Sequence, residues 1–310
     1  MRGFIFLGDL INLEEPGDSI EIIDNYILRK AKGEEIDHIK HQLNSLGNSD
    51  IMIARHEGTQ QETETGHMTI NYLERDYWNY WIIERDAPQD GRDFLDDAIA
   101  LCSKDLNRLF DSLYYEDGKP AGRIFQHNIF YNFLEDVWMQ NYIKSFSKKD
   151  AEEITILYKL LVDFKGKESD HLYIKKSLED FRMLKRVSRR TPFFFVSMFS
   201  IMEALITHNP TSESKSISHQ LATKLLLLNK RFEKPMILDN FFKNPASFEK
   251  TIKLLYTYRS DIAHGNNVNF DKLQAIESKE KASDFLYQLL KNVIIQSLKE
   301  PDLITDLKSV

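Results

Sequence analysis

Hydrophobic and polar positions show two kinds of pattern along the first 145 residues, one typical of strands and one typical of helices. Short apolar runs at residues 4–7 and 20–27, with a Pro-Gly pair between them, predict strands joined by a turn. Residues 34–46 begin with acidic side chains and continue with one apolar face, which predicts an amphipathic helix. The remaining pattern predicts strands over 51–55 and 67–73, a polar loop over 58–66, a helix over 94–113 and a loop over 118–122. Residues 1–145 are therefore expected to form an α+β domain.

Helical periodicity dominates from residue 146 onward. Ser147 followed by Asp150 is typical of a capping box, so a helix is expected to begin there. The last predicted helix ends before Pro301, because proline interrupts the hydrogen bonds of a helix interior. Further helices are predicted over 170–186, 191–208, 214–230, 246–264 and 278–299, with loops at the Asn-Pro pairs 209–210 and 244–245. Residues 146–310 are therefore expected to form an all-α bundle, which makes the whole chain mostly helical.

Composition and charge restrict the kinds of partner that the chain can bind. With 42% hydrophobic and 29% charged residues, it has the composition of an ordinary folded protein. The net charge of −7 argues against a general polyanion binder, so any RNA contact depends on a local basic patch. One such patch consists of Arg182, Lys185, Arg186, Arg189 and Arg190, with no acidic residue among them. A solvated, basic helix end explains this patch equally well.

The sequence gives little support for a metal site, a disulfide or a membrane-spanning segment. The single cysteine, Cys102, excludes an internal disulfide and a cysteine-rich zinc site, and the histidines are not spaced as zinc ligands. No metal or cofactor is expected. The longest apolar stretch, residues 192–206, contains Glu203 and is shorter than the roughly 20 residues of a membrane-spanning helix. The apolar start turns acidic at once, unlike a signal peptide, so a cytoplasmic protein without membrane association is expected.

The segment LLYTYRSDIAHGNN, residues 254–267, contains the one arginine of the chain that is followed five positions later by a histidine. Arg259 and His264 form this pair, and Ser260 and Asp261 lie between them. Gly265 is typical of the residue that follows a helix end, which places His264 in the last turn. The helix dipole favours a protonated imidazole at that position.

These residue types suit RNA cleavage without a metal. A histidine takes the proton from a ribose 2′-hydroxyl or gives one to the 5′-oxygen leaving group, and an arginine holds the scissile phosphate and stabilises its growing charge. In this hypothesis Arg259 and His264 are catalytic, Asp261 orients the imidazole and Ser260 contacts a phosphate oxygen. The product carries a 2′,3′-cyclic phosphate. Residues five apart do not share a helix face, so a frayed or bent terminus, or two protomers, must bring Arg259 and His264 together.

The sequence YRSDIAHG resembles the signature of the HEPN superfamily, most closely of its ApeA-like branch, in which a helix carries an R-x4-6-H motif commonly followed by glycine. The upstream stretches FVSMFSIMEALI and SISHQLATKLLLL are similar to the earlier helices of that branch, so the resemblance covers residues 190–300. It implies a four- or five-helix bundle that dimerises, with two Arg–His pairs lining one cleft. It also implies a polar or acidic residue facing that cleft, and Glu203 is the best match.

The function that the resemblance implies is a metal-independent endoribonuclease used as a toxin or an antiviral-defence effector, with host RNA as substrate. The basic residues Arg186, Arg189 and Arg190 are then expected to guide the RNA, and a regulatory or antitoxin partner is possible in such systems. The motif lacks the tyrosine two residues after the histidine that marks toxins paired with a nucleotidyltransferase antitoxin, which argues against that kind of control. Residues 1–145 are expected to sense a trigger or select the substrate.

Each candidate feature also has a structural explanation. His264 can simply cap its helix, and Glu203 can form an ion pair with a neighbouring helix, Arg259 included, because an unpaired buried carboxylate is costly. Trp78 and Trp81 are more typical of a core or interface than of a base-stacking platform. The competing hypothesis for the whole chain is a catalytically silent HEPN-like module that dimerises or binds a ligand and regulates a partner protein.

Overall fold

A computed structural model of the chain describes residues 2–45, 49–62, 68–86, 92–125, 143–208, 216–266 and 278–309. The chain divides into two compact units, Met1–Lys159 and Leu160–Val310. The division falls inside a long helix, Lys148–Lys165, and lies 14 residues after the predicted boundary at 145. All strands of the described chain belong to the first unit, whereas the second is built from helices. The described fold is thus mixed α/β, with more residues in helices than in strands.

Ten strands make up the described sheets of the first unit. They are β1 (Arg2–Leu7), β2 (Leu10–Leu13), β3 (Ser19–Ile23), β4 (Tyr26–Lys30), β5 (Gly58–Glu62), β6 (Met68–Tyr72), β7 (Trp81–Asp86), β8 (Arg108–Tyr114), β9 (Pro120–Phe125) and β10 (Ile143–Phe146). Six of them form an antiparallel sheet in the order β3-β4-β7-β1-β8-β9. A parallel pair, β2 with β10, and an antiparallel pair, β5 with β6, complete the sheets.

One face of the six-stranded sheet packs against a helix. The described helices of the first unit are α1 (Gly33–Asn44), α2 (Ser49–Glu57), α3 (Arg92–Leu101) and α4 (Lys148–Lys165), which continues into the second unit. Phe4 and Phe6 of β1 lie in one buried cluster with Ile36 and Ile39 of α1. Alternate residues of a strand share a face, so β1 buries its phenylalanines where the apolar stripe of α1 meets the sheet.

Several of the predicted elements are confirmed. Residues 4–7 lie in β1, the helix over 34–46 is α1, and the strand over 67–73 contains β6. The run at 20–27 forms two paired strands, since Asn25 takes a positive φ of 69° and closes a turn between β3 and β4. The capping box is confirmed as well, because Asp150 accepts from the Ser147 backbone N–H and the Ser147 hydroxyl accepts from the Asp150 N–H.

Two predictions in the first unit are wrong. Residues 51–55 are helical, because a short apolar run occurs in buried helices as well as in strands. Met52 of this helix lies in the same buried cluster as residues of α1. The helix over 94–113 stops at Leu101, and residues 108–114 form β8, which supplies hydrogen-bond partners to β1 and β9.

The polar segments at 58–66 and 118–122 are only partly loops. Gly58–Glu62 is β5, which pairs with β6, whereas residues 63–67 lie outside the described part. Pro120 begins β9, an edge strand, where a missing N–H costs no hydrogen bond within the sheet. Gly118, with φ of 80°, makes the turn before it.

The second unit contains the predicted series of helices. They are α5 (Leu172–Leu184), α6 (Pro192–Ile206), α7 (Ile217–Asn229), α8 (Phe248–Ala263), α9 (Lys279–Lys299) and α10 (Pro301–Ser309). The predicted loop at 244–245 is confirmed, whereas 209–210 lies outside the described residues. The prediction ended the helices at Pro301, but proline is tolerated at a first helical position and α10 begins there.

Helix α6 is the most apolar of the second unit and packs against α5, α7, α8, α9 and α10. Its buried side chains include Phe195, Phe199 and Met202, as expected for a helix surrounded by others. Because α6 packs against α8, Glu203 of α6 lies next to α8. In the part of the chain that the structure describes, no helix has both the length and the apolar character to cross a membrane.

Candidate active site

Helix α8 carries the Arg259–His264 motif and has well-defined ends. The Ser247 hydroxyl caps its start by accepting from the Lys250 backbone N–H. At the other end His264 is the C-cap residue, and Gly265 follows with a φ of 67°. The Gly265 N–H donates to the Ile262 carbonyl and the Asn266 N–H to that of Asp261, the two bonds of a Schellman motif. The predicted role of Gly265 is confirmed, and His264 lies at the helix end.

Arg259 reaches across to α6 and pairs with Glu203. Its Nη2 lies 3.2 Å from Glu203 Oε1 and donates a hydrogen bond of 3.3 Å to Oε2. Both contacts are long for a charge-assisted hydrogen bond. Within the described chain, Arg259 Nε and Glu203 Oε1 are buried and have no hydrogen-bond partner. The ion pair foreseen for Glu203 is confirmed, and it leaves hydrogen-bonding capacity unused on both side chains.

Tyr256 is the third member of this cluster. The Arg259 guanidinium carbon lies 5.4 Å from the centre of the Tyr256 ring, which meets Phe199 of α6 edge-on at 5.6 Å. Residues three apart are neighbours on a helix surface, so Tyr256 and Arg259 both face α6. The sequence analysis assigns no role to Tyr256, although its spacing of three residues from Arg259 indicates that the two side chains share a helix face.

Burial sets the electrostatics of the cluster. It raises the pKa of the Glu203 carboxyl above its ordinary value, although Arg259 and the Tyr256 hydroxyl both act in the opposite direction. Burial and the Glu203 carboxylate also raise the pKa of Tyr256. An ion pair that held Glu203 firmly would lower its pKa instead. Arg259 therefore compensates only part of the cost of burying this carboxylate.

The other predicted residues of the motif lie near the helix end. His264 is exposed, and Ser260 and Asp261 are partly buried. The Asp261 carboxylate accepts from the Asn266 side chain at 3.2 Å, and no contact between Asp261 and His264 is found among the described residues. The expected orienting contact between Asp261 and the imidazole is thus not formed in this structure.

Arg259 and His264 diverge around the helix. The α-helix is continuous to Ala263, so the bend or fraying that would unite them in one chain is not seen. At 3.6 residues per turn, five positions turn the side chain by about 140°. Arg259 faces α6, and His264 faces solvent. The structure therefore does not bring Arg259 and His264 together within one chain.

The basic patch occupies the end of α5 and the connection to α6. Arg186, Arg189 and Arg190 are exposed, but Arg189 also lies 4.7 Å from the centre of the Tyr287 ring on α9. This contact gives Arg189 a structural role alongside any role in RNA binding. Glu203 follows the start of α6 by 11 residues, which corresponds to roughly 16 Å along the helix axis. A contact between the patch and Glu203 is not found among the described residues.

In the described part of the chain, no group of three or more histidine, cysteine or acidic residues is arranged to hold a metal ion. No protein-family model matches the chain, and no curated protein or solved structure is significantly similar to it.

Proposed function

We propose that this protein is a metal-independent endoribonuclease of the HEPN type that acts as a toxin or antiviral-defence effector. The second unit is then the HEPN-like bundle, and residues 1–145 sense a trigger or select the RNA. The observation that carries the proposal is the pairing of two features on α8. An exposed histidine caps the helix, and one to two turns before it lies an arginine whose carboxylate partner does not saturate it.

The chemistry gives these groups the roles of proton-transfer catalyst and phosphate binder. His264 takes the proton of a ribose 2′-hydroxyl, and the 2′-oxygen attacks the adjacent phosphorus. The bond from phosphorus to the 5′-oxygen breaks, and that oxygen leaves with the proton that the His264 imidazole has taken up. Arg259 stabilises the charge on the phosphate oxygens through its unused donors. The products are a 2′,3′-cyclic phosphate and a free 5′-hydroxyl.

A second copy of the chain supplies what one copy lacks. Arg259 and His264 point about 140° apart on one helix, so a phosphate held by one arginine is not within reach of the same chain's imidazole. In a two-fold dimer the His264 of one protomer approaches the Arg259 of its partner, and both sites are equivalent.

The first test compares the wild type with His264→Ala after induced expression in bacteria. Growth arrest and fragmented RNA are expected for the wild type alone, and His219→Ala serves as a histidine control outside the site. With purified proteins, His264→Ala is expected to lower the rate of RNA cleavage by about 10²–10⁴-fold. Cleavage that persists in EDTA and leaves 2′,3′-cyclic ends, detected by mass spectrometry, distinguishes this chemistry from a metal-dependent nuclease.

A mixing experiment tests whether the site spans two chains. Arg259→Ala and His264→Ala are each inactive alone, but a mixed dimer retains one site with an intact arginine and an intact histidine. Co-expressed variants are then expected to recover about a quarter of the wild-type activity, the share given by random pairing. If sites lie within single chains, the mixture stays inactive.

The competing function is a silent HEPN-like module that regulates a partner protein. It is favoured if purified wild-type dimer leaves RNA intact, or if the wild type and His264→Ala are equally toxic. Either result removes His264 from the chemistry and leaves the Arg259–Glu203 pair as a structural contact.

A further inference from the structure

The start of α6 carries an exposed aromatic ring next to the basic patch. Residues 181–202 contain the five cationic side chains of that patch and no acidic side chain. Phe193 follows the patch at the second position of α6 and is 72% exposed, whereas Phe194 and Phe195 are 2% and 4% exposed. Of three consecutive phenylalanines, the first therefore presents its ring to solvent while the other two belong to the core.

A tight turn connects the basic patch to Phe193. The Thr191 backbone N–H donates to the Ser188 carbonyl at 3.1 Å, so Arg189 and Arg190 occupy the two central positions of the turn. Helix α6 begins directly afterwards. Because each residue spans at most about 3.6 Å of chain, the Cα atoms of Arg190 and Phe193 lie within about 11 Å of each other. The turn thus keeps an arginine close to the exposed ring.

The arginines of this segment have different surroundings. Arg189 lies 4.7 Å from the centre of the Tyr287 ring and interacts electrostatically with Asp284, so α9 holds it in part. Arg186 and Arg190 are exposed, and a guanidinium group can donate two hydrogen bonds to one phosphate. The surface therefore combines donors suited to phosphate with the flat apolar face of Phe193.

The exposed side of α6 leads from Phe193 toward the Arg259–Glu203 pair. Ser200 and Ala204 are exposed, and they follow Phe193 by 7 and 11 positions, which places all three on one side of the helix. Glu203 borders this side. Ten positions correspond to roughly 15 Å along the helix axis, about four nucleotides at the spacing of stacked bases. A strand that passes over Phe193 therefore reaches Arg259 within a few nucleotides.

We propose that Phe193 stacks on an unpaired base of a single-stranded RNA, while Arg186 and Arg190 bind the adjoining phosphates. The inference deepens the proposed function and rests on it, because it places the strand that Arg259 and His264 cleave. An unpaired base fits this ring, since bases in a duplex cover each other and the major groove of an RNA helix is too narrow for side chains. Stacking on an aromatic ring beside a cationic surface is also how proteins hold single strands of varied sequence.

Charge favours RNA over a second copy of the chain as the occupant of this surface. A two-fold contact through Phe193 would bring two basic patches together, and their like charges would oppose it. The same charges attract the phosphates of a nucleic acid and release its counterions.

RNA binding without cleavage is measured by fluorescence anisotropy on the full-length His264→Ala protein. The probes are a labelled oligoadenylate, the same strand paired with oligouridylate, and inorganic polyphosphate as a competing polyanion without bases. In this background we expect Phe193→Ala to weaken oligoadenylate binding about tenfold and to leave its salt dependence and the polyphosphate competition unchanged. Phe193→Trp keeps a stacking ring and is expected to bind at least as tightly. Leu172→Ala, which truncates an exposed side chain at the start of α5, is the control and leaves binding unchanged.

The arginines are tested by the double variant Arg186→Gln and Arg190→Gln. It is expected to weaken the binding of both oligoadenylate and polyphosphate. The slope of log affinity against log salt is expected to fall by about 1.4, because each phosphate contact on a single strand contributes about 0.7.

Any of four results overturns the inference. Oligoadenylate does not bind, the duplex binds as tightly as the single strand, Phe193→Ala binds oligoadenylate normally, or Phe193→Ala lowers the sedimentation mass and so marks an interface between copies. Failure of the nuclease is read separately. Wild type that leaves RNA intact, with binding that still depends on Phe193, refutes the cleavage and supports the stacking. Cleavage by wild type with normal binding in Phe193→Ala does the reverse.

Discussion

Each unit contains an arginine paired with glutamate beside a tyrosine, but the two clusters are satisfied to different degrees. In the first unit, Arg29 donates to Glu35 at 2.7 and 2.8 Å and to Glu84 at 2.6 Å. Glu35 also accepts from the Lys32 backbone N–H at 2.8 Å and from the Tyr114 hydroxyl. In the second unit, Arg259 makes two longer contacts with Glu203, and no second carboxylate partner of Arg259 is found among the described residues.

Burial does not explain this difference. The arginine side chains are 14% and 19% exposed, and those of Glu35 and Glu203 are 11% and 21% exposed. Burial alone would raise the pKa of both carboxyls, but hydrogen bonds from Arg29 and Tyr114 lower the pKa of Glu35 below its ordinary value. The pKa of Glu203 stays raised. The first cluster therefore has its hydrogen-bonding groups paired, whereas the Arg259–Glu203 cluster keeps buried donors and acceptors without partners among the described residues.

The same substitution in both clusters gives the sharpest contrast. Glu35→Gln removes a carboxylate that four donors stabilise, and we expect the free energy of unfolding of the first unit to fall by about 3 kcal/mol. Glu203→Gln replaces a carboxylate that burial disfavours, and we expect stability to stay within about 1 kcal/mol of the wild type. Urea unfolding measures both, and hydrogen exchange assigns each change to its unit, since the two need not unfold together.

A loss in Glu203→Gln as large as that in Glu35→Gln would contradict the distinction. The Arg259–Glu203 pair would then be a structural contact like its counterpart. Glu116→Gln, at an exposed turn of the first unit, is the control for the loss of one negative charge.

The stability of the two clusters is expected to respond to acid in opposite ways, because their pKa shifts have opposite directions. Glu35 and Glu84 have lowered pKa values, so their contribution is present above the ordinary glutamate pKa and is lost as the pH falls through the folded-state values. Glu203 has a raised pKa, so the folded state binds its proton more tightly and gains stability as the pH falls through that value.

Unfolding measured from pH 7 to pH 3 tests these signs. The first unit is expected to lose stability with acid, and Glu35→Gln is expected to flatten this loss. The Glu203→Gln variant lacks the stability that the second unit gains when Glu203 binds a proton. The second unit of this variant is therefore expected to be more sensitive to acid than that of the wild type. Identical pH profiles for the wild type and both variants would refute the assigned directions.

The sequence predicted features that depend on neighbouring residues. The Ser147–Asp150 capping box and the Gly265 helix end are each written within a few positions, because caps satisfy backbone groups of the same turn. The helices of the second unit were predicted because their apolar spacing repeats over many residues. The Arg259–Glu203 pair was foreseen only as one alternative, since a lone carboxylate in an apolar stretch needs some partner.

Features that depend on distant pairing were missed. Residues 108–114 have apolar spacing compatible with a helix, but β1 needs a neighbour and they form a strand. The contact between Arg29 and Glu84 joins positions 55 apart, and no local pattern predicts it. A cavity lined by Ile11, Lys30, Trp81 and Ile143 is equally hard to predict from the sequence, because these residues come from four strands, β2, β4, β7 and β10. Local patterns thus predict elements and caps, whereas saturation of a polar group is decided by the tertiary fold.

The smallest expected effects come from the two tyrosines, and they test the same contrast with the charges left in place. Tyr114→Phe removes a donor to Glu35, and we expect a loss of about 2 kcal/mol in the first unit, typical of a hydrogen bond to a charged group. Tyr256→Phe removes a weaker interaction with Glu203, and we expect a loss of at most about 0.5 kcal/mol. In ¹³C NMR titrations both substitutions raise the pKa of the partner carboxyl, because each hydroxyl favours its charged form. An equal loss of stability in the two variants would mean that Glu203 is held as firmly as Glu35. The Arg259–Glu203 pair would then no longer support the proposal that α8 carries a phosphate-binding site.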